Sequence, residues 1–220
     1  MDIRAHAKIN LGLEVLGRRS DGYHELMTIF QTVSLADDLS IDVAEEVIVE
    51  CSDNGIPTEE NLVWRAATTL QQVTGCSYGV NIRLKKNIPV SMGLGGGSSD
   101  AGSLLVGLNK LWELGLSILE LEDIAKTLGS DVPFFIRGGT ALGKGKGDSI
   151  SPLRPIGQFW ILLVCPDVQV KNKTSSVYSL IKPRLFSDGE MVLNMAELIN
   201  KGKYEGDFLF NVFGEPAEEF

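Results

Sequence analysis

Between Pro89 and Leu105 the chain reads PVSMGLGGGSSDAGSLL, with Gly93, Gly95, Gly96, Gly97 and two serines standing directly ahead of an amphipathic helix. Residues without a β-carbon let backbone N–H groups approach an anion closely, and Ser98 and Ser99 add hydroxyls. Leu104, Leu105, Leu108, Leu111 and Trp112 recur at helical spacing. That stripe docks the helix on a core and turns its positive N-terminus toward the loop. A phosphate fits such a cradle; the plainer alternative is a flexible glycine turn joining a strand to a helix. Two familiar glycine loops are absent. No lysine follows the last glycine, as GxxxxGK[ST] requires, and Ser98 stands where the dinucleotide fingerprint has a glycine.

At 220 residues the chain is long enough for one large domain or two small ones. A formal net charge of -9 argues against a nucleic-acid or membrane-surface partner, which needs a basic face, but leaves room for a small anion bound by local groups. Cys51, Cys76 and Cys165 lie far apart, form no CxxC and leave an odd count, which suits a reducing compartment. The N-terminus alternates in polarity, and no stretch approaches the ~20 apolar residues of a membrane span. These features predict a soluble cytoplasmic protein.

Strict alternation from Ile3 to Leu13 predicts a half-buried strand, with Arg4, His6, Lys8, Asn10 and Gly12 on its polar face. Further strand signals lie at Thr28–Ser34, Leu39–Val43 and Val47–Cys51, predicting an early antiparallel sheet. Asn61 caps a helix that Gly75 closes, and Val80, Ile82 and Leu84 alternate as a strand. Ser117 with Glu120 forms a capping box for a helix ending at Gly129. Phe134–Arg137 reads as a strand, and GGTALGKGKGD as a glycine-punctuated segment with bulges or tight turns. Pro152 and Pro155 mark a boundary. Trp160–Cys165 then reads as a buried strand, with helical patterns near Ser175–Ile181, Met191–Asn200 and Asp207–Phe213.

Three further places carry chemistry. Lys8 shares its strand face with Asn10 and His6, a polar row that suits an active-site wall or, equally, a solvated sheet face. Asp131, in GSDVPFF, is followed by Pro133, Phe134 and Phe135. It reads as a carboxylate in need of a partner or as a turn or cap residue, with Pro133 opposing helix. Paired with Lys8, it suits the deprotonation of an alcohol. In RSDGYHEL, Tyr23 and His24 could sandwich and hydrogen-bond a planar base, or pack as an ordinary loop pair. Only two histidines exist and no Cys or carboxylate cluster accompanies them, so His24 is not read as a metal ligand.

AKINLGLEVLGRRSDGYHEL, ENLVWRAA, PVSMGLGGGSSDA, LGSDVPFFIRGGTALGKGKGD and KTSSVY occur in order over most of the chain. Together they resemble the galactokinase, homoserine kinase, mevalonate kinase and phosphomevalonate kinase superfamily. Within it they resemble the branch that phosphorylates a cytidine-diphosphate-linked methylerythritol in the non-mevalonate route to isoprenoid precursors. The resemblance implies an α+β, two-domain fold. Residues 1–155 would form an ATP-binding domain like the second domain of ribosomal protein S5, and residues 156–220 an incomplete α/β C-terminal domain, with substrate in the cleft between them. It implies a catalytic pair, Lys8 and Asp131. It implies an ATP-phosphate loop of Pro89, Val90, Ser91, Met92, Gly93, Leu94, Gly95, Gly96, Gly97, Ser98 and Ser99. It places Tyr23 and His24 on the cytidine, with Asn10 and Thr174 at polar positions near the substrate. ATP with Mg2+ is the implied cofactor, with no protein metal ligand assigned, and a monomer or homodimer the implied state. Related enzymes continue past this chain's last residue with a third glycine-rich motif, so the second domain is expected to be incomplete. Rival readings are a non-catalytic ligand-binding relative and a superfamily kinase for a sugar, homoserine or mevalonate.

Overall fold

A computed structural model describes residues 1–53, 57–165, 178–204 and 209–214. The chain groups into two compact units. One comprises Met1–Lys8, Thr32–Val90 and Leu94–Gly138; the other comprises Ile9–Gln31, Ser91–Gly93 and Gly139–Phe220. Two long strands, β1 (Asp2–Arg18) and β2 (His24–Ala44), contribute residues to both.

In the first unit, the C-terminal half of β2 pairs antiparallel with β4 (Gly79–Lys85), from Asp38 opposite Lys85 to Ala44 opposite Gly79. Strand β3 (Val47–Cys51) pairs with β4 in parallel, so the early sheet is mixed rather than wholly antiparallel. Four helices accompany these strands: α1 (Leu62–Thr74), α2 (Gly96–Leu111), α3 (Ile118–Leu128) and α4 (Val132–Arg137). The core joins Leu39, Ile41 and Ile82 of the sheet to Leu70, Leu104, Leu105, Leu108 and Ile124 of the helices.

The helix ends follow the sequence signals. Asn61 accepts from the Val63 N–H, and Gly75 closes α1 in the left-handed region at φ 69°. Ser117 and Glu120 form the complete capping box of α3. Phe134–Arg137 departs from expectation, being helix rather than strand. Pro133 lies in the first turn, where a missing N–H costs nothing, so it starts α4 instead of preventing it. Gly102 of α2 admits α4 closely: a β-carbon there would sit 2.7 Å from Phe135 Cβ. Arg137 Nε donates to Glu122 Oε1 at 2.5 Å, tying α4 to α3.

In the second unit, Leu26–Gln31 of β2 pairs antiparallel with β5 (Thr140–Gly145), which turns into β6 (Ser149–Pro152). The expected tight turn is present, with Gly145 and Gly147 both at positive φ. Helix α5 (Glu190–Asn200) packs Val192, Met195, Ala196 and Ile199 against Leu11, Met27, Ile29 and Leu142. A second cluster joins Leu13, Val15 and Leu26 to Ile181 and Val212. The run from Leu11 to Val15 is therefore buried throughout instead of alternating.

Two expectations in the last third fail. Trp160–Cys165 forms no strand, and Trp160, Leu162 and Val164 are exposed; no strand among the described residues pairs with this run. An apolar run is buried only where a partner surface meets it. Of the Asp207–Phe213 pattern, residues 207–208 lie outside the described residues, and the described part has a two-residue strand, β7 (Phe210–Asn211), parallel to Gly12 and Leu13 of β1, rather than a helix. Residues 175–177 of the Ser175–Ile181 pattern lie outside the described residues. Among those described, no helix is long and apolar enough to cross a membrane, and Cys51, Cys76 and Cys165 are free thiols.

Candidate active site

The glycine segment splits into a loop and the first turn of a helix. Gly93 and Gly95 adopt φ 74° and 69°, conformations that glycine takes without strain, and Ser91 is held at φ 60°. Gly95 is the N-cap of α2, so the N–H groups of Gly96, Gly97 and Ser98 begin the helix without intrahelical partners. Ser98 is half-buried. Ser99 is fully buried: its Oγ donates to the His6 carbonyl at 2.6 Å, and its N–H closes on the Gly95 carbonyl at 2.8 Å. The loop therefore offers backbone donors and Ser98, while Ser99 fastens α2 to β1.

Lys8 lies against this turn. It is only 6% exposed, which decides against a solvated sheet face. Its backbone N–H donates to the Leu94 carbonyl at 2.9 Å, and a β-carbon on Gly95 would sit 3.1 Å from Lys8 Cγ and 2.9 Å from Phe135 Cζ. Lys8 Nζ forms an ion pair with Asp131 Oδ2 at 3.4 Å. Asp131 precedes α4 in helical conformation with no side-chain cap bond, so its carboxylate is directed to Lys8 and is about one-third exposed. An ammonium, a partly exposed carboxylate and a helix N-terminus thus meet inside the first unit. This arrangement suits the transfer of an anionic group to a hydroxyl.

The remaining sequence-predicted residues belong to the second unit. Tyr23 is exposed, with Lys146 Nζ 4.9 Å from its ring centroid. His24 stacks on Tyr178 with centroids 5.3 Å apart and meets the edge of Phe186 at 6.4 Å. Burial, reinforced by the Arg18 charge, holds His24 below the ordinary histidine range. Asn10 Nδ2 donates to Thr28 Oγ1, which donates to the Gly12 carbonyl, each at 2.7 Å. Thr174 lies outside the described residues.

A family profile described as GHMP kinases N terminal domain matches residues 61–139. A 4-diphosphocytidyl-2-C-methyl-D-erythritol kinase of Dehalococcoides mccartyi is 40% identical over 220 residues, covering 100% of this chain and 78% of that protein. One of Symbiobacterium thermophilum is 51% identical over 180 residues, covering 81% of this chain and 63% of that protein. The chain belongs to the 4-diphosphocytidyl-2-C-methyl-D-erythritol kinase family. A crystal structure of a 4-(cytidine 5'-diphospho)-2C-methyl-D-erythritol kinase superposes with TM-score 0.78 at 35% identity, covering 100% of this chain and 78% of that one. Streptococcus pneumoniae phosphomevalonate kinase shares the fold at 14% identity and TM-score 0.69. Two expectations hold on these grounds: the superfamily fold and kinase membership.

In this member of the kinase family, sequence reasoning missed a buried ionic group beside the loop. Lys86 Nζ donates to both Asp37 and Asp100, the latter at 2.6 Å. Asp37 also accepts from the backbone N–H groups of Asn87 and Ile88 at 2.5 and 2.8 Å. Burial pushes the Asp100 carboxyl up to about 7; the Lys86 charge opposes that shift and the Asp37 charge adds to it. Tyr178, the last residue of KTSSVY, was not singled out either; its ring stacks on His24 and meets Phe213 edge-on with centroids 4.7 Å apart. Among the described residues no three or more His, Cys, Asp or Glu side chains gather where they could hold a metal ion.

Proposed function

We propose that the chain transfers the γ-phosphoryl group of ATP to the 2-hydroxyl of 4-diphosphocytidyl-2-C-methyl-D-erythritol, giving the 2-phosphate and ADP, in the non-mevalonate supply of isoprenoid precursors. The observation that carries this reading is the Lys8–Asp131 pair packed against the glycine N-cap of α2. The names of the relatives at 40% and 51% identity supply the acceptor.

Asp131 accepts the proton of the 2-hydroxyl as its oxygen bonds to the γ-phosphorus and the bond from that phosphorus to the β,γ-bridging oxygen breaks. In a loose transition state the catalytic contribution is mainly positioning and charge stabilisation. Lys8 orients Asp131 and offsets charge on the transferring group, and the N–H groups from Gly95 to Ser98 receive the phosphate oxygens. Magnesium bound with ATP would neutralise charge on the phosphate oxygens; no side chain is assigned to the metal. Tyr23 supplies a ring face for the cytosine and His24 a hydrogen bond to its edge, with Asn10 and Thr174 as polar neighbours of the substrate. Residues 1–155 are taken as the ATP-binding domain and 156–220 as part of the C-terminal domain. A cytoplasmic monomer or homodimer completes the reading.

ADP release, followed by a coupled assay, tests the proposal with the cytidine substrate against galactose, homoserine and mevalonate. Turnover confined to the cytidine substrate supports it. Preference for another alcohol would replace the acceptor, and ATP binding without any turnover would favour a non-catalytic relative.

A further inference from the structure

The glycine loop has two stems, and one half-buried lysine touches the anchors of both. Upstream, Asp37 on β2 is fully buried and receives the N–H groups of Asn87 and Ile88, the residues that lead into Pro89. Downstream, Asp100 lies in α2, four residues past its first, and is 2% exposed. Lys86 Nζ bridges the two carboxylates. The stems also touch: a β-carbon on Gly96 would sit 3.1 Å from Ile88 Cγ2 and 3.4 Å from Lys86 Nζ. A strand residue, a stem and a helix turn are thus held together just beneath the first helical N–H groups.

We infer that Lys86, set between Asp37 and Asp100, is a positioning residue that fixes the span of the glycine loop and thereby its grip on the phosphates of ATP. The inference rests on the reading of the loop as the ATP-phosphate site. One cation shared by two carboxylates on different elements restrains their separation, and donors preorganised for an anion lose their effect when their spacing shifts by a fraction of an ångström. Asp100 Oδ1 has no hydrogen-bond partner among the described residues, while its Oδ2 accepts from Lys86 Nζ at 2.6 Å. Lys86 is paired with Asp37 and Asp100, whereas Asp131 is paired with Lys8, so loosening the bridge is expected to act on ATP and not on the cytidine substrate.

The test uses the full chain and three variants: Lys86→Met, Asp100→Leu and Asp100→Asn. Affinity for a fluorescent ATP analogue is titrated directly, and KM for ATP, KM for the cytidine substrate and kcat are measured well below each thermal midpoint. Lys86→Met and Asp100→Leu are expected to weaken ATP by about tenfold or more, within the range that misplaced groups produce, while KM for the cytidine substrate stays at the parent value. Asp100→Asn keeps an acceptor oxygen and is expected to lie between parent and Asp100→Leu. Lowered thermal midpoints with unchanged ATP affinity would overturn the inference and leave a structural ion pair. If Lys86→Met does not fold, Asp100→Asn decides, because it keeps the Lys86–Asp37 pair; parent-like ATP affinity there overturns the inference too. A parent chain that fails to bind the analogue defeats the reading of the loop, whereas variants equal to a binding parent defeat only the role of Lys86.

Discussion

Lys8 Nζ stands 3.4 Å from Asp131 Oδ2, although the two residues come from a strand and a short helix far apart in the sequence. Such a pair fits a proton acceptor held in place by a cation. Asp131→Asn keeps the shape and removes the base, and is expected to lower kcat by about 10²-fold or more, at the usual scale of acid–base contributions, with ATP affinity unchanged. Steady-state kinetics beside an ATP-analogue titration check this; near-parent turnover would remove Asp131 from the role of base.

Gly95→Ala is expected to damage both stability and ATP binding. The position needs φ 69°, and an added β-carbon would meet Phe135 Cζ at 2.9 Å and Lys8 Cγ at 3.1 Å. Left-handed strain alone costs about 1–3 kcal/mol, and displacing Lys8 disturbs its pairing with Asp131. Urea unfolding and the same titration measure the two effects, and a variant as stable as the parent contradicts the packing described.

Ser99→Ala separates a structural serine from a ligand-binding one. Its Oγ is buried and donates to the His6 carbonyl at 2.6 Å. Losing that bond is expected to cost about 1 kcal/mol of stability, with a KM for ATP like the parent's. A rise in that KM without destabilisation would mean that the hydroxyl serves the nucleotide.

Asp100 predicts a pH signature. Its folded carboxyl titrates at about 7, against an ordinary value of 3.8, so between these limits the folded chain holds a proton that the unfolded chain has released. This contribution is fully present below the ordinary value and is lost as pH rises through the folded one, with a slope of at most about 1.4 kcal/mol per pH unit. Urea midpoints of the parent and of Asp100→Asn, compared across that window, are expected to diverge in slope, the parent's falling relative to the variant's with rising pH. Parallel profiles would rule the coupling out.

Helix ends were legible because their signals are local. Asn61 and Gly75 bracket α1, and Ser117, Glu120 and Gly129 bracket α3, each through bonds between residues a few positions apart. Lys8 and Asp131 were legible as candidates by residue type and neighbourhood, although their contact depends on Gly102 admitting α4 against α2. Pro133 misled because proline opposes the interior of a helix but suits its first turn. Trp160–Cys165 misled because an apolar run carries no record of whether a partner strand meets it. The Asp37–Lys86–Asp100 group stayed hidden because three charged residues spread along the chain look like ordinary surface until the fold buries them.

The sharing of β1 and β2 between the two units bears on how the protein is made. Residues Ile9–Gln31 carry Leu11, Leu13, Val15, Met27 and Ile29, while their partners Leu142, Ile181, Val192, Met195 and Val212 are synthesised only after Gly138. Until then these strand segments stay uncovered and open to wrong pairings, the condition in which nascent chains aggregate or engage chaperones. The other unit gains its last segment at Gly138 and can close first. Translation that slows just beyond that codon would let one half of each strand settle while the other half still waits for its partners.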